Sequence, residues 1–262
     1  MADPVESAIP SHLWPGLTDL PGTPPIHGEV WVWSFFTTDG PHIPALENLL
    51  DEHEAERARR LRSPRARAEF VSGRGLVRLV LGKLTGRDPR SVRLSSTGNG
   101  KPVMAAESTP AHIHFNLAHS HGMGLLALCT HAELGVDIEK IRPVSDMDSL
   151  AKRYFHPNEV AKLEEMAEEV PRRLAFFHAW TRKEAFLKAT AAGIGFGLNR
   201  VEVTLGGNQP ARLERIDDCQ DKAREWSLEH LAPSEEWMAA LALKASCSRL
   251  VTGHIQWDSL TR

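Results

Sequence analysis

Apolar and polar residues follow two rhythms along this chain. The run Glu29–Phe36 sets Val30 and Val32 on one side and Trp31 and Trp33 on the other, the two-residue period of a strand. Residues 46–61 and 65–84 instead repeat apolar positions at three- and four-residue spacing, which predicts two helices, the second stopped by Thr85-Gly86. Short strands are expected at 91–94 and 112–115, a buried strand at Met123–Cys129, and another at 134–138. Helices are then expected at 157–169 and 172–191, followed by strands at 201–205 and Trp237–Leu243. Residues 1–27 hold Pro4, Pro10, Pro15, Pro21, Pro24 and Pro25, a density that forbids a helix and predicts an extended strap or a flexible lead-in.

The pattern repeats itself. The helix around Phe70 and the strand near Val92 correspond to the helix around Trp180 and the strand near Val201. The run 124–129 likewise resembles 238–243 at an offset of about 110 residues. This predicts an α+β fold of two similar halves packed face to face, residues 28–133 and 134–262, after the proline-rich extension 1–27. The cleft between such halves is the natural place for a ligand.

Composition adds a broad class. The 262 residues are 42% hydrophobic and 25% charged, enough to bury a core. No apolar run is long enough to span a bilayer, and no basic patch followed by an apolar stretch opens the chain. Cys129, Cys219 and Cys247 have no paired spacing, so a cytoplasmic protein with free thiols is expected. The net charge of −3 hides an uneven distribution. From Arg57 to Arg93 the only acids among many Lys and Arg are Glu69 and Asp88, which calls for an anionic partner or a solvated helix face. Nucleic acid, a nucleotide cofactor and an acidic protein all qualify, but a nucleic-acid-binding module on 57–93 would have Phe70 as its lone aromatic and no recognised reader motif.

Several short motifs can carry chemistry. In Gly135-Val136-Asp137-Ile138-Glu139, strand alternation puts Asp137 and Glu139 on one face. Two such carboxylates repel unless a cation lies between them, and hard oxygen ligands suit Mg²⁺; the other reading is an exposed strand edge blunted by acids. On the helix through Trp180, Glu184 falls on a stripe marked as buried by Leu174 and Phe177, where a carboxylate is costly without a metal or cation. Lys188, one turn on, could pair with Glu184 on a solvated face or reach a substrate phosphate. His112, His114, His119 and His121 cluster without a cysteine or acid at zinc spacing, so a polar loop facing an anion fits better than zinc. Thr97-Gly98-Asn99-Gly100-Lys101 is a glycine-rich turn that lacks the spacing of a Walker loop.

Taken in order, Asn-Gly-Lys-Pro (99–102), Phe-Asn-Leu-Ala-His-Ser (115–120), Gly-Val-Asp-Ile-Glu (135–139) and Trp-Thr-Arg-Lys-Glu-Ala-Phe-Leu-Lys (180–188) resemble the 4′-phosphopantetheinyl transferases. Length and doubled architecture resemble the larger, pseudo-dimeric Sfp-type branch, over about residues 28–245. The resemblance implies an enzyme that moves the phosphopantetheine of coenzyme A to a serine of an apo acyl or peptidyl carrier protein, releasing 3′,5′-ADP with Mg²⁺. It implies Asp137, Glu139 and Glu184 as metal ligands. Arg57, Lys101 and His119 would contact phosphates, Thr97, Gly98, Asn99 and Gly100 would lie along the nucleotide, and Ala118 and Ser120 would flank the bound coenzyme. Lys188 would bind the diphosphate and protonate the leaving group, and Glu184 would take the serine proton. The family commonly has serine where this chain has Ala118, so one hydroxyl contact to phosphate would be missing. A monomer with an internal pseudo-dimer, acting on neither nucleic acid nor membranes, is implied as well.

Overall fold

The computed structural model describes residues 14–38, 40–97, 100–105, 112–190, 197–206, 209–217 and 220–260. In chain order it begins with β1 (Gly16–Leu17), β2 (Glu29–Phe36), α1 (His42–Glu47), α2 (Glu52–Arg60), α3 (Pro64–Thr85), β3 (Leu94–Ser96), β4 (Pro102–Met104), β5 (His114–Ser120) and β6 (Met123–Cys129). There follow β7 (Leu134–Lys140), α4 (Met147–Tyr154), α5 (Pro157–Glu164), α6 (Glu169–Thr190), β8 (Val201–Val203), β9 (Leu213–Ile216), β10 (Ser227–Ser234), β11 (Trp237–Leu243), β12 (Arg249–Ile255) and α7 (Trp257–Leu260). The succession from β2 to β6, one strand, three helices and four strands, recurs from β7 to β11, and α3 and α6 are both 22 residues long. The fold is α+β with two similar halves.

Four layers follow from the alternation of the strands. Of the four sheets among the described residues, the two large ones have the orders β1-β12-β2-β6-β5 and β10-β11-β7, and β3-β4 and β8-β9 are two-stranded. Trp31, Trp33 and Phe35 of β2 face α3, while Val30 and Val32 meet Leu241 and Leu243 of β11 between the sheets. On the far side α6 packs onto Met238, Ala240 and Ala242, and the two alanines are small enough to let the helix sit close. The chain closes on itself where β12 returns to pair in parallel with β2.

Local signals explain where the predicted elements end. Ser63 caps α3, accepting a hydrogen bond from the Ala66 N–H, and Gly86 stops it at φ 66°, a conformation only glycine adopts freely. The single helix expected over 46–61 is two, because Asp51 turns extended and caps α2 with Glu54 in a reciprocal pair. Arg78, 1% exposed, donates to both of those carboxylates and to the Val92 carbonyl, fixing α2 on α3. The strand expected at 91–94 lies at Leu94–Ser96 instead, since Pro89 opens a short 3-10 turn before it. The polar loop expected over 116–121 is strand β5, with the turn displaced to His121-Gly122.

One edge decides the geometry of the site. β5 lies beside β7, yet the two belong to different sheets and share no ladder. Side chains satisfy the β7 backbone instead. The Asn116 carbonyl oxygen accepts the Val136 N–H at 2.9 Å, Ser120 Oγ accepts the Lys140 N–H at 3.4 Å, and Lys101 Nζ donates to the Leu134 carbonyl at 3.0 Å. The halves are thus stapled by side chains along a polar seam.

Candidate active site

The acidic part of the site begins with Gly135. A Cβ there would lie 2.1 Å from the Ala185 carbonyl oxygen and 2.3 Å from the Ala189 nitrogen, so only glycine lets β7 run directly under α6. Two residues on, Asp137 faces the helix, 5% exposed, with its Oδ1 2.6 Å from Lys188 Nζ. Its Oδ2 is buried and has no hydrogen-bond partner. Glu139, on the same face, accepts the Ser120 hydroxyl at 2.8 Å, and Glu184 is half-buried on α6. Burial pushes the Asp137 carboxyl up to about 6 against the pull of Lys188. Burial also raises Glu139 and Glu184, and Asp137 adds to the rise at Glu184. Three acids therefore resist ionising together, which is the electrostatics of a cation-binding set. Lys188 stands on one of them. Among the described residues no three His, Cys, Asp or Glu side chains are gathered closely enough to close round an ion. The orphaned Oδ2 and the all-oxygen donor set nonetheless fit a hard divalent cation.

The basic part lies on α2, α3 and β5. His119 is the half-exposed residue of β5 on the face toward α3, and its Nδ1 is 3.5 Å from Glu69. Burial lowers its pKa, Glu69 opposes that, and the Lys188 and Arg65 charges lower it further, which places these groups within electrostatic reach of one another. Next to Glu69, Phe70 carries two guanidinium groups, Arg57 at 5.1 Å and Arg74 at 5.7 Å from its ring centre. Several other basic residues of the stretch are paired with acids. Arg59 and Arg60 meet Glu56, Arg67 meets Glu47, Arg78 meets Asp51 and Glu54, and Lys83 meets Asp19. The nucleic-acid reading is not favoured.

Two of the expected contact residues are turned inward. Ala118 points into the core between the sheets, 4% exposed, because alternation puts it opposite in sense to His119. A serine hydroxyl there would meet apolar side chains. Lys101 is nearly buried, lies 3.6 Å from Glu133 and donates to Leu134, with burial lowering its pKa. Thr97 and Gly100 close the turn between β3 and β4, the Gly100 N–H donating to the Thr97 carbonyl at 2.8 Å with Gly100 at φ 79°. Gly98 and Asn99 lie outside the described residues, as do Cys219 and residues 1–13.

Comparison with known proteins gives the family. Residues 133–242 match the model of the 4′-phosphopantetheinyl transferase superfamily, and residues 40–131 match the model of a 4′-phosphopantetheinyl transferase N-terminal domain. The 4′-phosphopantetheinyl transferase HetI of Nostoc is 35% identical over 234 residues, 88% of this chain and 94% of that protein. The chain belongs to the 4′-phosphopantetheinyl transferases, in their Sfp-type branch. It is an enzyme of that class. More distant relatives are the 4′-phosphopantetheinyl transferase of Bacillus subtilis, 29% identical over 62% of this chain and 69% of that one, and the human L-aminoadipate-semialdehyde dehydrogenase-phosphopantetheinyl transferase, 25% identical over 84% and 76%. Among the described residues of the transferase no helix is long and apolar enough to cross a membrane.

The transferase relies on residues that the sequence pattern does not single out. Lys183, beside Glu184, is fully buried, 2.6 Å from the equally buried Glu159 of α5, and donates to the carbonyls of Leu198 and Val201. This pins the rotation of α6. With Lys183 facing α5, the next residue turns about 100° toward β7. Asn116 and Phe70 are likewise legible in the sequence only as parts of a motif or a composition. A signal for Lys183 exists, since a lysine among buried aromatic residues needs a partner, but its partner lies in another helix.

Proposed function

We propose that this transferase moves 4′-phosphopantetheine from coenzyme A to a serine hydroxyl of an apo acyl or peptidyl carrier protein and releases 3′,5′-ADP, in a magnesium-dependent reaction. The observation that carries the reading is the buried, unpartnered Asp137 Oδ2 set between Glu139, Glu184 and Lys188 on the seam of the two halves. Asp137, Glu139 and Glu184 would hold the ion, which when bound neutralises charge on the diphosphate. The basic groups on the other side of the seam fit the phosphates. Arg57 on its Phe70 platform and His119 are the exposed members, and Lys101, engaged with the Leu134 carbonyl, would contact phosphate only on leaving it.

The chain's own residues then divide the chemistry. Glu184, its pKa raised by burial and by Asp137, accepts the serine proton directly or through one water. The serine oxygen forms its bond to the β-phosphorus as the phosphoanhydride bond to 3′,5′-ADP breaks. Lys188 leaves Asp137, stabilises charge on the departing oxygen and supplies its proton. Residues 28–133 and 134–262 would act as two halves of one monomer in the cytoplasm, after the extension 1–27, although β12 returns from the second range to the first half's sheet and β1 of the extension pairs with it. The test is mass spectrometry of an apo carrier protein after incubation with enzyme, coenzyme A and Mg²⁺. A mass increase of one phosphopantetheine that disappears with a chelator supports the reading. An unmodified carrier across a broad panel sinks it.

A further inference from the structure

We propose that His121 acts, through Ser120, as a positioning residue for the carboxylate of Glu139. The turn after β5 carries the only non-glycine residue at positive φ among the described residues, His121 at φ 48°. Such a conformation costs a histidine about 1 kcal/mol or more and persists where the surroundings require it. Here it folds the exposed imidazole back along the strand, bringing Nδ1 to 2.9 Å from Ser120 Oγ. A serine hydroxyl has one proton and two lone pairs. The Ser120 proton goes to Glu139 Oε2 at 2.8 Å, and one lone pair accepts the Lys140 N–H at 3.4 Å. The remaining lone pair faces His121, so the ring must be the donor, with its proton on Nδ1. The chain of donation therefore runs from imidazole to hydroxyl to carboxylate.

The rest of Ser120 is fixed as well. Its carbonyl accepts the Trp237 indole N–H at 3.2 Å, its side chain is buried, and Lys140 packs its ammonium 4.9 Å above the Trp237 ring. Rotation of the hydroxyl is the one freedom left, and His121 removes it. Outer residues of this kind orient a ligand carboxylate and sharpen its affinity for a cation. Ser120 faces Glu139 rather than the basic side of the seam, so its part lies in holding that acid.

The inference rests on the reading of Glu139 as a magnesium ligand, and the test separates the two. Calorimetric titration of Mg²⁺ into the full-length protein with coenzyme A present is compared for wild type, Glu139→Gln, Ser120→Ala, Ser120→Thr, His121→Gly and His121→Asn, each with a melting curve. Expected is a loss of about 10–100-fold in Mg²⁺ affinity for Ser120→Ala, restored in part by Ser120→Thr. His121→Gly relieves the backbone yet loses the donor, so it should bind several-fold more weakly while melting no lower. His121→Asn tolerates the same φ and keeps an N–H donor, so it should bind as wild type. Should Ser120→Ala fail to fold, the two exposed-site His121 variants decide alone. If Glu139→Gln loses the ion while His121→Gly binds like wild type, the positioning role is overturned and the metal reading stands. If wild type and Glu139→Gln titrate alike, the metal reading falls and the inference with it.

Discussion

The two halves share one fold and differ in what fills the space between strand and helix. In the first half the β2 face toward α3 carries Trp31, Trp33 and Phe35, with the two indoles stacked at 5.4 Å. In the second half the matching strand β7 presents Gly135, Asp137 and Glu139 to α6. The helices differ in the same way. Sixteen residues into each lie Leu79 and Glu184, and four further on lie Lys83 and Lys188. Lys83 makes a 3.7 Å contact with Asp19 at the surface, whereas Lys188 sits on a buried carboxylate. One copy of the motif has been filled as a core and the other kept polar as a site. On the proposed mechanism one such polar site serves the chain, while the other copy would supply a packed wall and the basic groups of β5, α2 and α3.

The largest test of that contrast is Glu184→Gln. Removing the charge while keeping the shape should slow single-turnover transfer to an apo carrier by about 10²–10⁴-fold, the usual worth of a general base. The melting midpoint should stay within a few degrees, and near-normal transfer would break the contrast. The first half should answer in stability instead of rate. Trp33→Ala empties a buried indole site and should cost about 3–5 kcal/mol in urea unfolding. A loss under about 1 kcal/mol would mean that β2 is not the structural member of the pair.

The paired lysines sharpen the comparison further. Lys188→Met should lower turnover by about tenfold or more, as loss of a positioned charge does. Lys83→Met removes an exposed pair and should change stability by less than about 1 kcal/mol and transfer not at all. Equal kinetic effects would contradict the asymmetry. A smaller effect is expected at Ala118→Ser, which places a hydroxyl in the inter-sheet core and should cost about 1–3 kcal/mol without tightening coenzyme A binding in calorimetry.

The last test is of acid stability in the second half. His178 on α6 is held down to about 3, first by burial and then by the Arg182 and His230 charges. The unfolded chain takes up that proton near 6.5 and the folded chain does not, so this contribution is intact above pH 6.5 and is lost as the pH falls from 6.5 toward 3. Melting midpoints recorded through that window should decline for the wild type and decline less steeply for His178→Leu, since His254, held down to about 4, loses stability over the same range. Unchanged curves would show that the acid limb has another source.

Much of this architecture is legible in the pattern of residues. The strands Glu29–Phe36, Met123–Cys129 and Trp237–Leu243 and the two long helices follow from period and burial alone, because each packs on its neighbours along one continuous face. Asp137 and Glu139 on one face, and Glu184 and Lys188 on one stripe, follow from the same arithmetic. The strands β4, β9, β10 and β12 and the helix α4 do not. They are short, interrupted, or patterned by what packs on them, and β12 pairs with a strand far away in the chain.

By itself the sequence determined the repeated α+β grammar, the acids and the family, since periodicity and motif order are properties of neighbouring residues. Only the tertiary structure decided which residues meet. It put Lys188 on Asp137, Ser120 on Glu139, Lys183 on Glu159 and Lys101 on the Leu134 carbonyl, and it turned Ala118 into the core between the sheets. The physical reason is that each of those outcomes depends on which strands and helices are brought side by side, and that is set by long-range packing. A side chain's partner is chosen by whatever group lies within about 3 Å once the layers have closed.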